Sequence, residues 1–264
     1  MSAAGLHERE RASIRRGSDP RYLRAEWTKL RTAPETVWLV LGIVAATVAV
    51  GVLVAANMPC TPTVCHGDPT KAGLTGVQLG QAVVAILAVL AVGGEYGTGM
   101  MHSTLAAMPR RTGVLAAKAA VVTGVIVPAA TVAVAVSAVA GRHIMPVGAP
   151  LPAVLRASVG SVLYLTLIAL LALGTAAVVR NAAAAIGVVL ALLYLFPIIA
   201  AATPDPDWER HLLQVGPMTA GLAVQATTGL DKLPIGPWAG LGVTAAWAFG
   251  ALLAGAVALS ARDA

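Results

Sequence analysis

The chain has 264 residues, of which 58% are hydrophobic and 11% are charged, and its formal net charge is +6. So little polar surface excludes a soluble globular protein of this length. Nucleic-acid binding is also disfavoured, because the positive charge is not accompanied by stacking aromatics, which make up only 4% of the residues. The composition predicts a protein embedded in a lipid bilayer, with membrane lipids around it and no nucleic-acid partner.

The N-terminal part of the chain is polar and rich in arginine. Residues 1–18 predict a disordered basic tail. Residues 19–36 predict an interfacial helix, because Leu23, Trp27 and Leu30 fall on one helical face with basic residues to either side. The alternative is an ordinary basic juxtamembrane anchor, which anionic lipids attract through charge alone.

Six apolar runs follow, each with a charge-free stretch long enough for the roughly 20 helical residues that cross the hydrocarbon core. They predict an all-α integral membrane protein with six transmembrane helices in a single transmembrane domain, residues 37–264. The predicted spans are residues 37–56, 76–94, 119–140, 154–179, 182–202 and 237–259.

A seventh charge-free run, residues 211–230, is weaker because Gln214, Gly216, Pro217 and Gln225 interrupt it. It predicts short re-entrant or interfacial helices between spans 5 and 6, since broken helices are tolerated where protein shields them. A seventh full crossing is the less favoured alternative.

Lys and Arg are distributed unevenly over the segments that join these spans. With both termini inside, 13 of the 18 basic residues lie on the cytoplasmic side. The basic residues on the outer side are Lys71, Arg142, Arg156, Arg210 and Lys232. By the positive-inside rule, we expect a multi-pass protein of the cell membrane with cytoplasmic N and C termini.

Cys60 and Cys65 then fall in the first outer loop, where an oxidising exterior permits a disulfide between them. The alternative is a zinc site that includes His66, which needs a fourth ligand.

The polar residues in or near the spans are few and uncharged. They are Gln78, Gln81, Ser158, Ser161, Tyr164 and Asn181. Such residues more often form interhelical hydrogen bonds than bind a substrate.

The chain also lacks a Walker loop, a His-Glu-x-x-His motif and a Gly-x-Ser-x-Gly elbow. We therefore expect no enzyme, no catalytic or metal site, and no cofactor bound by this chain itself.

A glycine-rich stretch joins the second and third spans. Its residues Met101, Leu105 and Met108 recur at i, i+4 and i+7 and predict a short helix with one apolar stripe, bounded by Pro109 and Arg111. Methionine adapts to a moving surface, so the stripe suits the groove of a partner protein. A loop helix that rests on the membrane is the alternative.

Two stretches carry a resemblance to a known family. "EYGTGMMHSTLAAMPRRTGVLAAK", residues 95–118, resembles the segment between the second and third spans of permease subunits of type 2 ABC exporters, and "RAEWTKLRT" is similar to that family's basic entry helix. The positions that fit the family pattern are Glu95, Gly99, Leu105, Pro109, Arg111 and Lys118. Met100 stands where threonine is usual, and Gly97 where a polar or basic residue is common.

The resemblance implies a permease subunit of an exporter that forms the substrate pathway with a second permease copy or a paralogue. A separate ATP-binding cassette subunit would bind and hydrolyse ATP and dock on the cytoplasmic loop 95–112. The implied ATPase-coupling residues are Glu95, Gly99, Met101, Leu105, Met108, Pro109 and Arg111. Residues 207–230 resemble that family's outer re-entrant helices in position. The rival hypotheses are a non-transporting integral-membrane scaffold or immunity protein and, less favoured, a channel.

Overall fold

The computed structural model describes residues 27–28, 32, 34–60, 65, 67–97, 111–145 and 148–261, without the side chains of 95–97 and 111–112. Over these residues the regular elements are helices. In chain order they are α1 (Pro34–Ala56), α2 (Pro69–Leu74), α3 (Val77–Gly97), α4 (Arg111–Ile144), α5 (Leu151–Val179), α6 (Ala182–Ala202), α7 (Pro206–Val215), α8 (Pro217–Gly221), the 3-10 turns Leu222–Gln225 and Leu230–Lys232, and α9 (Pro237–Ala261).

Six helical stretches of the described chain are long and apolar enough to cross a membrane. They are Pro34–Ala56, Pro69–Gly94, Gly113–Ile144, Leu151–Val179, Ala182–Ala202 and Pro237–Ala261. Each one encloses a span predicted from the sequence, so the prediction of six helices of membrane length is confirmed. The run 211–230 is divided among short helices, of which none has the length of a span.

The helix ends follow local capping rules. The Asp68 side chain accepts a hydrogen bond from the Lys71 N–H ahead of α2, and Asn181 accepts one from the Ala184 N–H ahead of α6. Pro69 occupies the first position of α2, where a missing N–H costs nothing. Arg180 ends α5 in the left-handed conformation, with φ 59°.

The second and fourth spans form the centre of the bundle. In their most apolar windows 61% and 56% of residues are buried, against 22%, 17% and 22% in the first, fifth and sixth spans. Helix α5 packs against α3, α4, α6 and α9. Close approach depends on small residues, as is usual in membranes. A Cβ at Gly174 of α5 would lie 2.4 Å from the Ala251 backbone of α9, so glycine is required there.

The second span is interrupted between Leu74 and Val77, where α2 ends and α3 begins. A Cβ at Gly76 would lie only 1.8 Å from the carbonyl oxygen of Thr47 in α1. Glycine therefore allows the backbones of the first two spans to touch at this interruption. The sequence predicted that the span begins at residue 76, whereas helical structure already begins at Pro69, because Asp68 and Pro69 initiate an additional turn.

Residues 217–228 enter the bundle and are called the inserted segment below. Its core residues, Pro217, Met218 and Ala220 through Ala226, are buried, whereas none of α7 is. A Cβ at Gly160 of α5 would lie 2.2 Å from the Val224 side chain, so the segment packs directly on the central helix.

The bundle has two ends, named here by what lies at each. The bridge end carries Cys60, Cys65 and the inserted segment, and the α3–α4 end carries Gly94 and Arg111.

Trp27 of the predicted interfacial helix is helical and half exposed. Leu23 and Leu30, which complete that predicted face, lie outside the described residues.

Candidate functional site

A buried group of neutral polar side chains joins three elements in the interior. The Tyr164 hydroxyl of α5 donates a hydrogen bond to the Gln81 amide oxygen of α3, and the Gln81 amide nitrogen donates to the Met218 sulfur at 3.1 Å. Gln81 and Tyr164 are both fully buried. The interhelical hydrogen bonding predicted for Gln81 and Tyr164 is confirmed.

Gln225 extends this group toward the interruption of the second span. Its amide nitrogen donates to the Ser161 hydroxyl oxygen at 3.0 Å and to the Leu74 carbonyl oxygen at 3.4 Å. The Leu74 carbonyl lies where α2 ends, so Gln225 satisfies backbone that the interruption frees. The Gln225 amide oxygen is buried and has no hydrogen-bond partner among the described residues. From the sequence, Gln225 is recognisable only as an interruption of an apolar run, and its contacts were not predicted.

At the bridge end, Asp68 and Arg156 hold the last turn of the inserted segment. The Asp68 carboxylate accepts hydrogen bonds from the Thr227 N–H, from the Thr227 hydroxyl at 2.7 Å and from the Thr228 N–H at 2.9 Å. Arg156 donates to the Ala226 carbonyl oxygen at 2.6 Å. These contacts place one anion and one cation on consecutive residues of the same turn.

The surroundings of Asp68 change its acidity in two opposing ways. Partial burial raises the pKa of the carboxyl group, whereas hydrogen bonds from Thr227, Lys71 and Thr228 lower it. The hydrogen bonds outweigh the burial, so the pKa lies below its usual 3.8. Asp68 is therefore a carboxylate at neutral pH. The dipeptide Asp68-Pro69 is a helix-start signal that the sequence interpretation overlooked.

At the α3–α4 end, two cationic side chains donate to backbone carbonyl groups of other helices. Lys118 of α4 is 3% exposed, and its Nζ donates to the Ala91 carbonyl oxygen of α3 at 3.1 Å. Arg180 donates to the Ala258 carbonyl oxygen of α9 at 3.0 Å. Ala258 lies in the last turn of α9, where carbonyl groups carry partial negative charge and favour a cation. Lys118 thus ties together the two helices that flank residues 98–110.

The predicted coupling residues belong to the end of α3, the start of α4 and the connection between these two helices. Glu95 lies in the last turns of α3 and Arg111 in the first turn of α4, with no side-chain description. The remaining ones, Gly99, Met101, Leu105, Met108 and Pro109, lie outside the described residues.

Cys60 and Cys65 are joined by a disulfide, with their Cα atoms 4.1 Å apart. Two bonded sulfurs are not thiolate ligands, which excludes the zinc alternative for this pair. Across the described parts of the chain, His, Cys, Asp and Glu form no group of three that could hold a metal ion. His66 lies outside those parts.

An open apolar cleft of about 550 Å³ lies between α6 and α9, with α5 at its floor. It is lined by Leu171, Thr175, Leu192, Val243, Ala246, Trp247, Gly250, Ala251 and Ala254. The Trp247 indole is oriented by its N–H, which donates to the Val215 carbonyl oxygen at 2.9 Å. Apolar walls of this kind suit hydrocarbon better than a polar ligand.

The sequence matches no protein-family model, and no curated protein matches it.

Proposed function

We propose that the chain is the membrane-spanning permease subunit of an ABC exporter, driven by a separate ATP-binding subunit. The first support is the lack of charge in the middle of the bundle, since the buried charged side chain of the described residues, Lys118, lies toward the α3–α4 end. The buried polar group is made of Gln81, Tyr164, Ser161 and Gln225, none of which is charged at neutral pH. Ion-driven transporters and proton relays place ionisable groups inside the membrane. A bundle whose described side chains are neutral at mid-depth moves a substrate uphill only if another protein supplies the work.

The observation that carries the proposal is the contact between Lys118 and the Ala91 carbonyl oxygen, 3.1 Å long. It joins α3 and α4, the two helices linked by the connection that resembles a coupling helix. Helix α3 packs in turn on the central helix α5. A force applied to the connection would therefore move α3 and α4 together and reach the core through α5.

The distribution of basic residues supports an orientation of the bundle in the membrane. We propose that the α3–α4 end faces the cytoplasm, because most Lys and Arg residues belong to segments on that side. The bridge end then faces the exterior, where a disulfide persists. A soluble ATPase would reach residues 95–112 in this orientation.

Exposed tryptophans support the placement of the bundle in a membrane. Trp38 at the start of α1 is 73% exposed, and at the bridge end Trp208 and Trp238 are 62% and 57% exposed. Tryptophan is enriched at both membrane–water boundaries. We propose that α7, with Trp208, lies in the outer interface and that the inserted segment is re-entrant. Pairing with a second permease copy or a paralogue rests on the family resemblance.

The test uses the tagged full-length chain, purified from its native membranes in mild detergent. The chain has no Walker motif, so any ATP hydrolysis in the preparation belongs to a partner. We expect a stoichiometric ATPase subunit in the wild-type preparation and its loss in Leu105→Asp, because a charge would be placed on the apolar stripe. Leu230→Asp is the matched control, since Leu230 is an exposed leucine at the opposite end.

Equal ATPase recovery from both leucine variants would contradict docking on residues 95–112. A wild-type preparation without any ATPase would contradict the exporter and favour a scaffold or immunity protein. Ionic current through a bilayer reconstituted with the purified chain, without ATP, would favour a channel.

A further inference from the structure

The inserted segment is attached to the rest of the bundle through its ends and through hydrogen bonds. It lies between Gly216 and Gly229, and Gly229 adopts a left-handed backbone with φ 60°. No helix of membrane length anchors either end directly, because α7 precedes it and a 3-10 turn follows it. Its last turn is held by three hydrogen bonds from Thr227 and Thr228 to the Asp68 carboxylate.

The position of Asp68 depends on the connection between α1 and α2. Gly67 precedes Asp68 and adopts φ 124°, a conformation that glycine tolerates. The Gly67 N–H donates to the Cys65 carbonyl oxygen at 3.1 Å. Cys65 is bonded through its sulfur to Cys60, shortly after α1 ends. An unbroken series of contacts thus leads from the disulfide to the carboxylate.

The disulfide restricts this connection physically. Residues 57–68 join α1 to α2, and a bond between Cys60 and Cys65 limits the conformations that this connection can adopt. Without that bond, more conformations of the connection would compete with the one that places Asp68 beside Thr227 and Thr228. Each hydrogen bond from the inserted segment would then have to overcome a larger ordering entropy.

We propose that the Cys60–Cys65 disulfide and Asp68 form a redox-sensitive clasp that holds the inserted segment in the bundle. Breaking the disulfide loosens the connection, Asp68 leaves its position, and the turn at Thr227 and Thr228 opens at the bridge end. This inference goes beyond the proposed transport function and does not depend on an ATPase partner.

The reaction that opens the clasp needs a dithiol or a comparable thiol reductant from solution. Its thiolate attacks one cysteine sulfur, the Cys60–Cys65 bond breaks, and the other cysteine leaves as a thiolate that takes up a proton. The second thiol of the reductant then attacks this mixed disulfide and releases the first cysteine. The reductant loses two electrons and becomes a disulfide. Cys60 and Cys65 gain these electrons and two protons and become thiols.

Hydrogen–deuterium exchange measures the clasp directly, because the N–H groups of Thr227 and Thr228 are themselves donors to Asp68. The full-length protein is held in lipid nanodiscs, and peptides that cover residues 226–230 are compared with and without dithiothreitol. We expect exchange of these amides to accelerate about tenfold on reduction, as for the loss of a hydrogen bond to a charged group. Peptides from α5 should keep their protection, which checks that the bundle stays folded.

Two variants test the route from the disulfide to the carboxylate. Asp68→Asn and the double variant Cys60→Ser with Cys65→Ser should each accelerate exchange about tenfold. Asp231→Asn is the matched control, since Asp231 is an exposed aspartate in the connection that follows the inserted segment. It should behave like the wild type.

The effects should not add, because the disulfide acts through Asp68. Reduction of Asp68→Asn should change exchange at Thr227 and Thr228 by less than about twofold. Unchanged exchange after reduction of the wild type would overturn the proposal. So would additive effects of reduction and Asp68→Asn, and so would an Asp68→Asn variant with wild-type exchange.

Discussion

Tyr164 donates a hydrogen bond to Gln81 in the interior of the bundle, where both side chains are fully buried. The bond joins α5 to α3, the two most buried spans. Buried polar groups in membrane proteins depend on such partners, because neither hydrocarbon nor apolar side chains can form the missing hydrogen bond.

Tyr164→Phe should therefore lower the free energy of unfolding in detergent by about 1–3 kcal/mol, because the Gln81 amide oxygen loses its donor. Thermal unfolding followed by tryptophan fluorescence measures the change. Tyr194→Phe is the control and should cost less, because its acceptor is a backbone carbonyl, that of Gln78, within α3. Adding Gln81→Leu to Tyr164→Phe should restore part of the loss. An equal loss in both tyrosine variants would contradict a special role for the buried pair.

Gly76→Ala should strongly reduce the amount of folded protein. A Cβ there would lie 1.8 Å from the Thr47 carbonyl oxygen, so α1 and the second span would have to separate. We expect a destabilisation of about 1–3 kcal/mol or more, typical of overpacking. Gly250→Ala in α9 is the control, since a Cβ at Gly250 meets nothing within 4 Å. Size-exclusion chromatography of both variants measures the amount of folded protein. Similar profiles would contradict the close approach of Gly76 to Thr47.

Lys118→Met should weaken the tie between α3 and α4. The lost charge-assisted hydrogen bond to the Ala91 carbonyl oxygen is worth about 1.5–3 kcal/mol. If the proposed function holds, less ATPase subunit should also co-purify, since the flanking helices no longer move as a unit. Lys71→Met, an exposed lysine at the bridge end, serves as the control. Wild-type stability of Lys118→Met would show that the Lys118–Ala91 contact contributes nothing.

The contribution of Asp68 to stability should disappear in acid. Its pKa is lower in the folded protein than the usual 3.8. The stabilisation is therefore fully present above pH 3.8 and is lost as the pH falls through the folded-state pKa. Asp68→Asn should unfold at a lower temperature than the wild type at pH 7, and the two should begin to converge as the pH falls below 3.8. A difference that stays constant down to pH 3 would contradict the lowered pKa.

The proposed orientation is testable with single cysteines in the Cys60→Ser, Cys65→Ser background. Asp231→Cys at the bridge end should react with a membrane-impermeant maleimide on intact cells. Ala4→Cys in the N-terminal tail should react only after the membrane is permeabilised. The reverse pattern would place the α3–α4 end outside and would remove the basis for a cytoplasmic ATPase.

The six spans were predictable because a bilayer imposes a length and an apolar composition that a linear sequence displays. All six predicted spans lie inside the observed helices. The prediction that Gln81, Ser161 and Tyr164 serve interhelical hydrogen bonds is also confirmed. For the coupling residues such as Leu105, the sequence remains the only basis, and their role stays a prediction.

The contacts of Asp68 could not be predicted in the same way. Its place at the start of α2 was recognisable from the following proline. Its pairing with Thr227 and Thr228, about 160 residues later, depended on how six helices pack. The same applies to Lys118, whose burial against Ala91 follows from the approach of α3 and α4.

By itself, then, the sequence determined that the chain has six helices long and apolar enough to cross a membrane and roughly where they lie, because apolar length is a local property. Only the tertiary structure decided which polar groups meet, that the second span is interrupted beside Gln225, and that Asp68 holds the inserted segment. Those outcomes depend on packing between residues far apart in the chain. At the closest approaches only glycine fits, because a side-chain Cβ would collide with the neighbouring helix.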